Sequence, residues 1–217
     1  LAALLFPVLS AAKAKAKRTQ CLNNLKQVNL GVHLYVSEND DVLPNEGIAT
    51  FVDYKEAMKS YVGLHAVSSA QDRLFICPMD SFYYDEGNAS YVSHGLHEEA
   101  GHNFASYVFN GLNLLTNYVN VAYNGPLRGI GGKKIGSIKN SSRTVLVLEG
   151  AGLLPYSWHQ ALPPVTGRYP MLNDSKNMVS FVDSHVDYIK MFWNDTISYP
   201  NNGFSVAAYY DPPAGYD

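Results

Sequence analysis

The first 38 residues constrain the fold of this 217-residue chain more than any other segment. Apolar residues recur there three and four positions apart, which is the pattern of a helix with one buried face. Breaker residues are concentrated in the stretch that follows, SENDDVLPNEG, and predict the end of the helix. Such a helix is about 57 Å long, more than a domain of this size needs, so we expect part of it to project. The apolar positions are Leu22, Leu25, Val28, Val32 and Tyr35.

The helix begins with an apolar stretch, LAALLFPVLS, and basic residues follow at Lys13, Lys15, Lys17 and Arg18. Ten residues are too few to cross a bilayer, which takes about 20 apolar residues. The stretch is therefore either the tail of a signal peptide, with LSAAKA as its cleavage site, or a truncated membrane helix. The uninterrupted pattern across residues 11–36 favours the membrane helix, because a cleaved signal is normally followed by a new domain.

The amino-acid composition excludes some classes of function and favours others. The net charge is -3 and only 16% of the residues are charged, with no basic excess beyond residues 13–18. Binding to nucleic acid needs a basic footprint, so nucleic acid is not an expected partner. A mean hydropathy of -0.13 excludes a polytopic membrane protein. Sixteen tyrosines together with many Asn, Ser and Gly residues are typical of secreted and cell-surface proteins.

The chain has two cysteines, Cys21 and Cys77, and lacks CxxC or zinc-finger spacing. Two interpretations remain open. They are either two buried free thiols or, in an exported protein, one disulfide that closes a loop of about 57 residues and contributes roughly 4 kcal/mol.

The later segments are predicted to form strands. RTVLVLEG and SYVF are β-branched and aromatic, and MVSFVDSHVDYIKM alternates around a turn. In that hairpin we expect Val179, Phe181, Val186 and Tyr188 on one side of the sheet. The overall prediction is an α+β fold, a long N-terminal helix packed on an antiparallel sheet with long loops. Residues 1–38 form the helix, apolar over 1–12 and amphipathic over 13–38, and residues 39–217 form a globular α+β head.

One segment, HGLHEEAGH, is rich in metal-ligating residue types: His94, His97, Glu98, Glu99 and His102. A zinc protease motif places two histidines four apart on a helix. Here the second and third histidines are five apart, about 140° around a helix, and glycines flank them. A solvated loop is therefore favoured over a metal site.

The other candidate sites also favour structural roles. Asp183 and His185, two positions apart in a tight turn, more often satisfy local backbone groups than act in catalysis. GIGGKK at 129–134 lacks the ending of a phosphate loop and favours a hairpin or loop. We expect no catalytic residues, no enzymatic activity, no metal site and no cofactor. Calcium is left open, because DSFYYDEGN and SENDDVLPNEG are rich in oxygen ligands.

The N-terminal region, an apolar run followed by CLNNLKQVNLGVHLYVSENDDVLP, resembles that of bacterial type IV pilin-like proteins and type II secretion pseudopilins. The resemblance is to the sets with a prepilin-type cleavage and methylation segment in planctomycete- and verrucomicrobia-type bacteria. Further motifs of this family follow in order along nearly the whole chain. They are Cys77-Pro78, Ser106-Tyr107 with Asn110, the strand in KKIGSIKNSSRTVLVLEG, and Asn177, Phe181, Asp183, His185 and Val186, where Ser184 replaces the family's usual glycine.

The resemblance implies a structural subunit of a type IV pilus-like or type II secretion pseudopilus filament, assembled by helix bundling. Leu1 would lie inside a longer apolar segment, prepared by a prepilin peptidase, and Pro7 would match the helix-kinking proline of many pilins. The implied partners are copies of this chain, other pilins and, before assembly, the inner membrane of a bacterial cell envelope. The filament would be periplasmic or extracellular. The residues expected to form the assembly surface are Leu1, Leu4, Leu5, Pro7, Val8 and Leu9.

A second function of a different class stays open. A surface-anchored module of the same fold would capture glycans through its Tyr- and Asn-rich loops, because aromatic faces stack on sugars. The aromatic residues considered for this role are Trp158, Trp193, Tyr199, Tyr209 and Tyr210.

Overall fold

The structure is a computed structural model, and it describes residues 2–45, 50–85, 90–111, 129–152, 156–159, 175–194 and 208–211. Helix α1 spans Ala2–Glu38 and helix α2 spans Thr50–Met58. The predicted long N-terminal helix is therefore confirmed, and the antiparallel sheets beside it confirm the α+β class.

Within the described residues, seven strands form two antiparallel sheets. Strands β1 (Tyr83–Asp85) and β2 (Ser90–Val92) make a small two-stranded sheet. The larger sheet has five strands, each paired with the next one along the chain. Its strands are β3 (Tyr107–Phe109), β4 (Val145–Glu149), β5 (Ser175–Phe181), β6 (Val186–Asn194) and β7 (Ala208–Asp211). Short 3-10 turns connect several of these elements, among them Arg73–Phe75, Leu96–Glu98 and Ala100–His102.

The second half of α1 packs against β4, β5 and β6. Its buried apolar residues follow the three-and-four spacing of the sequence, and each fully buried Leu or Val contributes roughly 1.5–3 kcal/mol. A buried hydrogen bond also joins α1 to β5: Asn29 Nδ2 donates to the carbonyl oxygen of Phe181 at 2.8 Å. The buried apolar residues of α1 are Cys21, Leu25, Val28, Val32 and Val36.

Helix α2 crosses α1 closely at Gly31. A Cβ atom at this position would lie 2.2 Å from Cε of Met58 and 2.7 Å from Cγ1 of Val62. Glycine is therefore the residue that allows α2 and the 3-10 turn after it to contact the backbone of α1.

Both faces of the five-stranded sheet carry apolar side chains, and the prediction for the β5–β6 hairpin is wrong in register. Ser180 pairs with Val186, and even-numbered residues of β5 continue to face even-numbered residues of β6. Val186 and Tyr188 therefore pack in the cluster beneath α1. Val179 and Phe181 belong to the cluster on the opposite face. The cause is that five residues separate the paired Ser180 and Val186, so odd-numbered residues of β5 face odd-numbered residues of β6 and the expected side is reversed.

The turn between β5 and β6 is held by local hydrogen bonds, as its sequence predicts. The Asp183 carboxylate accepts from the His185 backbone N–H at 3.2 Å, and its Oδ1 lies 2.5 Å from His185 Nδ1. The Ser184 N–H donates to the Phe181 carbonyl at 3.0 Å. Ser184 is exposed and has a φ of 77°, so it adopts the left-handed conformation that a glycine would adopt freely.

We expect Ser184→Gly to raise the free energy of unfolding by about 0.5–1 kcal/mol. A side chain at positive φ costs roughly 1–2 kcal/mol, and the extra freedom of glycine in the unfolded chain removes about 0.5–1 kcal/mol of the gain. Urea denaturation monitored by circular dichroism measures the difference. Ser184→Ala keeps the Cβ atom and should stay within about 0.5 kcal/mol of the parent. A destabilised glycine variant would contradict the prediction.

Candidate functional site

The first half of α1 extends beyond the packed sheet. None of its described side chains over residues 6–20 is buried, and burial begins at Cys21. Phe6, Val8 and Leu9 are 71%, 66% and 67% exposed. The helix runs through Pro7 without a break. This exposed apolar segment, Phe6, Val8 and Leu9, is called the apolar tip below.

The remaining predicted assembly residues are only partly covered by the structure. Leu4 and Leu5 lie within α1, but their side chains fall outside the described residues. Leu1 falls outside the described residues altogether.

A second pair of exposed leucines lies further along α1. Leu30 is 57% exposed and Leu34 is 41% exposed. At 3.6 residues per turn both lie roughly half a turn away from the buried Val28 and Val32, on the same side as Leu9. Helix α1 thus has one apolar face against its own sheet and, on the solvent side, two exposed leucines among polar residues.

Basic residues separate the apolar tip from the packed half of the helix. Lys13 and Lys15 are exposed, whereas the Arg18 guanidinium lies over the ring of Tyr188, 5.3 Å from its centroid. This cation–π contact connects the last basic residue to the sheet. The positive charge, from Lys13 to Arg18, therefore lies just before the point at Cys21 where burial of the helix begins.

The two cysteines meet in the core, and the structure joins them as a disulfide with Cα atoms 5.0 Å apart. Cys21 lies on α1, and Cys77 follows the 3-10 turn Arg73–Phe75. The free-thiol interpretation is thus not the one found. The bond ties α1 to the segment before the small sheet.

A buried acid and a histidine lie beside this disulfide. The ring of His159 contacts the carboxylate of Glu149, with 2.7 Å between Nε2 and Oε1, and the same Nε2 is 3.5 Å from Sγ of Cys77. The other carboxylate oxygen accepts from the Met178 N–H at 2.9 Å. Both side chains are buried. We call Cys21, Cys77, Glu149 and His159 the Cys–Glu–His cluster.

Sequence reasoning missed this cluster. Its members come from α1, the segment after Phe75, the end of β4 and the segment 156–159, so no local spacing connects them. The available signals were a glutamate that ends the apolar run VLVLE and a histidine directly after an aromatic residue, Tyr-Ser-Trp-His. Neither identifies a metal-ligating residue without the fold.

The segment HGLHEEAGH is more ordered than the predicted solvated loop, because it forms two 3-10 turns around Asp80. The buried Asp80 carboxylate accepts from the N–H of Leu96 at 2.9 Å and of His97 at 3.0 Å, and from Ser106 Oγ at 2.7 Å. His97 Nδ1 lies 3.0 Å from Asp80 as well, and this hydrogen bond raises the pKa of His97. The segment thus serves as a turn anchored by hydrogen bonds.

The other two histidines of that segment both pack against the ring of Tyr83. His94 lies 2.5 Å from Glu99, which also accepts a hydrogen bond from the Tyr83 hydroxyl at 2.9 Å. Burial lowers the pKa of His102. The segment thus places His97 against Asp80 and the other two histidines against Tyr83.

A buried lysine organises the adjacent loop. Lys55 of α2 has no exposed side-chain surface, and its ammonium lies 2.9 Å from the Asp72 carboxylate. It also donates to the carbonyl oxygens of Asn103 at 2.9 Å and Phe104 at 3.2 Å. Those two residues have φ values of 51° and 53°. Burial lowers the pKa of Lys55, whereas the pair with Asp72 opposes that shift.

Of the five aromatic residues considered for glycan stacking, the structure describes the side chain of Trp158. Trp158 is buried, and its indole N–H donates to the Phe82 carbonyl at 2.8 Å, so its face is not open to a sugar. The side chains of Trp193, Tyr199, Tyr209 and Tyr210 lie outside the described residues.

No protein-family model, curated protein or solved structure matches this chain. Among the described residues, neither α1 nor any other helix combines the length and the apolarity that crossing a membrane requires.

Proposed function

We propose that this chain is a pilin-like structural subunit, which assembles through α1 into a filament of the bacterial cell envelope. The observation that carries the proposal is the division of α1. One half is buried against the sheet, and the other half presents Phe6, Val8 and Leu9 to solvent. Isolated exposed apolar residues are ordinary, but three at the end of a projecting helix favour burial against a partner.

Two exposed leucines further along α1 support a helix bundle as the form of assembly. Leu30 and Leu34 lie on the same side of the helix as Leu9, although exposed polar residues lie between them and the tip. In a bundle of α1 helices from neighbouring copies these leucines would leave water, while the sheet of each copy stays outside. Burial of each large apolar side chain contributes roughly 1.5–3 kcal/mol.

The basic residues fit the membrane-bound stage that such a subunit passes through. Lys13 and Lys15 follow the apolar tip by about one helical turn and are exposed. At the membrane surface, each basic residue near anionic head groups contributes about 1 kcal/mol. On this proposal the apolar tip moves from lipid into the filament, and a prepilin peptidase prepares the subunit. The head carries no catalytic role.

The test compares the chain with the triple variant Phe6→Ser, Val8→Ser, Leu9→Ser by sedimentation velocity and negative-stain electron microscopy. The parent is expected to associate into oligomers or fibres as its concentration rises, and the triple variant is expected to remain monomeric. Val67→Ser is the matched control, since Val67 is 89% exposed but lies outside α1. Association of the triple variant equal to that of the parent, or a parent that stays monomeric at every concentration, would overturn the proposal.

A further inference from the structure

We infer that the chain in its reduced state binds one divalent transition-metal ion, best matched by Zn²⁺, through Cys21, Cys77, Glu149 and His159. Each of the four residues offers one ligand atom, and these atoms all lie within 4.8 Å of one another. In a tetrahedral zinc site the bonds are about 2.0–2.3 Å, which places neighbouring ligand atoms about 3.3–3.8 Å apart. The widest pairs of ligand atoms therefore need to close by about 1 Å to enclose the ion, whereas the two bonded sulfurs and the Nε2–Oε1 pair, 2.7 Å apart, need to separate.

The chemistry of the four groups selects the metal. Thiolate and imidazole ligands favour Zn²⁺ over Mg²⁺ and Ca²⁺, which take oxygen ligands. With both cysteines as thiolates and a neutral imidazole, the four ligands carry three negative charges. A divalent ion leaves one, as in a Cys₃His centre. All four side chains lie in the interior, where water does not compete for the metal.

Burial of the Glu149 carboxylate supplies an independent reason to expect a cation there. Glu149 has no exposed side-chain surface, and within the described part of the chain its ion-pair partner is His159 rather than a lysine or arginine. Nδ1 of that histidine is itself buried without a hydrogen-bond partner among the described residues. A buried carboxylate is costly unless it is paired or bound to a metal, and a bound divalent ion supplies the charge.

The atoms around the ligands are already arranged to orient them. The second oxygen of Glu149 accepts from the Met178 N–H at 2.9 Å, which leaves Oε1 directed at the cluster. The Cys77 N–H donates to Ser106 Oγ at 2.9 Å, and Ser106 in turn donates to Asp80. Such outer contacts fix the direction of metal ligands and are typical of built sites.

The metal-bound state and the disulfide are alternatives, because both use the same two sulfur atoms. Metal binding to the reduced chain forms two sulfur–metal bonds and releases the two thiol protons. Formation of the disulfide removes two electrons and two protons from the same thiols, so the oxidised chain lacks these ligands. In either state a cross-link joins α1 to the segment around Cys77. A bound metal would also join β4 and the segment 156–159 to this cross-link. The inference does not depend on filament assembly.

The test measures zinc bound to the purified full chain. A phosphine reductant converts the disulfide to two thiols and becomes the phosphine oxide, with its oxygen taken from water. After desalting under argon, ZnCl₂ is added, excess is removed, and zinc is measured by elemental analysis. We expect one zinc per reduced chain and none per oxidised chain. Co²⁺ in place of Zn²⁺ should give thiolate-to-cobalt charge-transfer absorption and tetrahedral ligand-field bands.

Variants separate a four-ligand site from binding by thiols alone. Glu149→Gln and His159→Gln, each in the reduced state, should weaken zinc affinity by about tenfold or more. His97→Gln, a histidine of the Asp80 network, should bind zinc like the parent. Circular dichroism monitors folding throughout, and a reduced chain that loses structure should regain it with zinc. A reduced chain that retains no zinc, or a Glu149→Gln, His159→Gln double variant that binds zinc as tightly as the parent, would refute the site.

Discussion

Replacement of Lys55 by methionine is expected to lower the free energy of unfolding by about 3–5 kcal/mol. Methionine keeps the length and apolar stem of the side chain but removes the ammonium. The Asp72 carboxylate then loses its partner at 2.9 Å. The carbonyl oxygens of Asn103 and Phe104 lose their donor as well. Urea denaturation followed by tryptophan fluorescence and circular dichroism measures the loss.

The expected effect is large because the Lys55 ammonium also binds the carbonyl oxygens of two residues in a strained backbone conformation. Asn103 and Phe104 both have positive φ, and each such residue is held by its surroundings at a cost of about 1–3 kcal/mol. Lys26→Met provides the control, since Lys26 is exposed on α1 and the change should stay within about 0.5 kcal/mol of the parent. A loss below about 1 kcal/mol for Lys55→Met would show that the loop does not depend on the ammonium.

Removal of the disulfide is expected to have an effect of similar size. The double variant Cys21→Ala, Cys77→Ala should be about 4 kcal/mol less stable than the oxidised parent. The bond closes a loop with a sequence separation of 56, and its loss frees that loop in the unfolded chain. Denaturant unfolding is measured in the presence of a chelator, so that a metal bound to the reduced cysteines does not replace the bond.

The reduced parent supplies the comparison for the double variant. In chelator, its free energy of unfolding should fall by an amount close to that of the variant, because both lack the same cross-link. A double variant as stable as the oxidised parent would mean that the core packing alone fixes α1 to the segment around Cys77.

Helix α1 was predictable because its signals are local. The three-and-four spacing of Leu25, Val28 and Val32 and the breakers after Ser37 define its buried face and its end without reference to any other segment. The strands β4, β5 and β6 were also visible as short β-branched runs. The register between these strands, by contrast, could not be predicted from the sequence. The side to which Val186 points depends on the number of residues in the turn, and one residue reverses it.

The interior polar groups could not be predicted for a different reason. Glu149 ends an apolar strand and Lys55 lies in a short helix, and both types are usually exposed. Their burial depends on partners that are distant in sequence, such as Asn103 for the lysine and the Met178 N–H for the glutamate. The same holds for the convergence of two cysteines with His159. Such clusters require the tertiary structure, because no spacing in the chain encodes them.

The hydrogen bond from Asn29 to Phe181 joins positions 152 residues apart. A ribosome adds roughly 5–20 residues per second, so α1 is complete roughly 8–30 s before the strand that covers Asn29 is made. Of the three strands that α1 packs against, β4 is made before Phe181, so the buried face of the helix is only partly covered until β5 and β6 follow. In the nascent chain, the buried face of α1 therefore has to be covered by other contacts until the last third of the chain is translated.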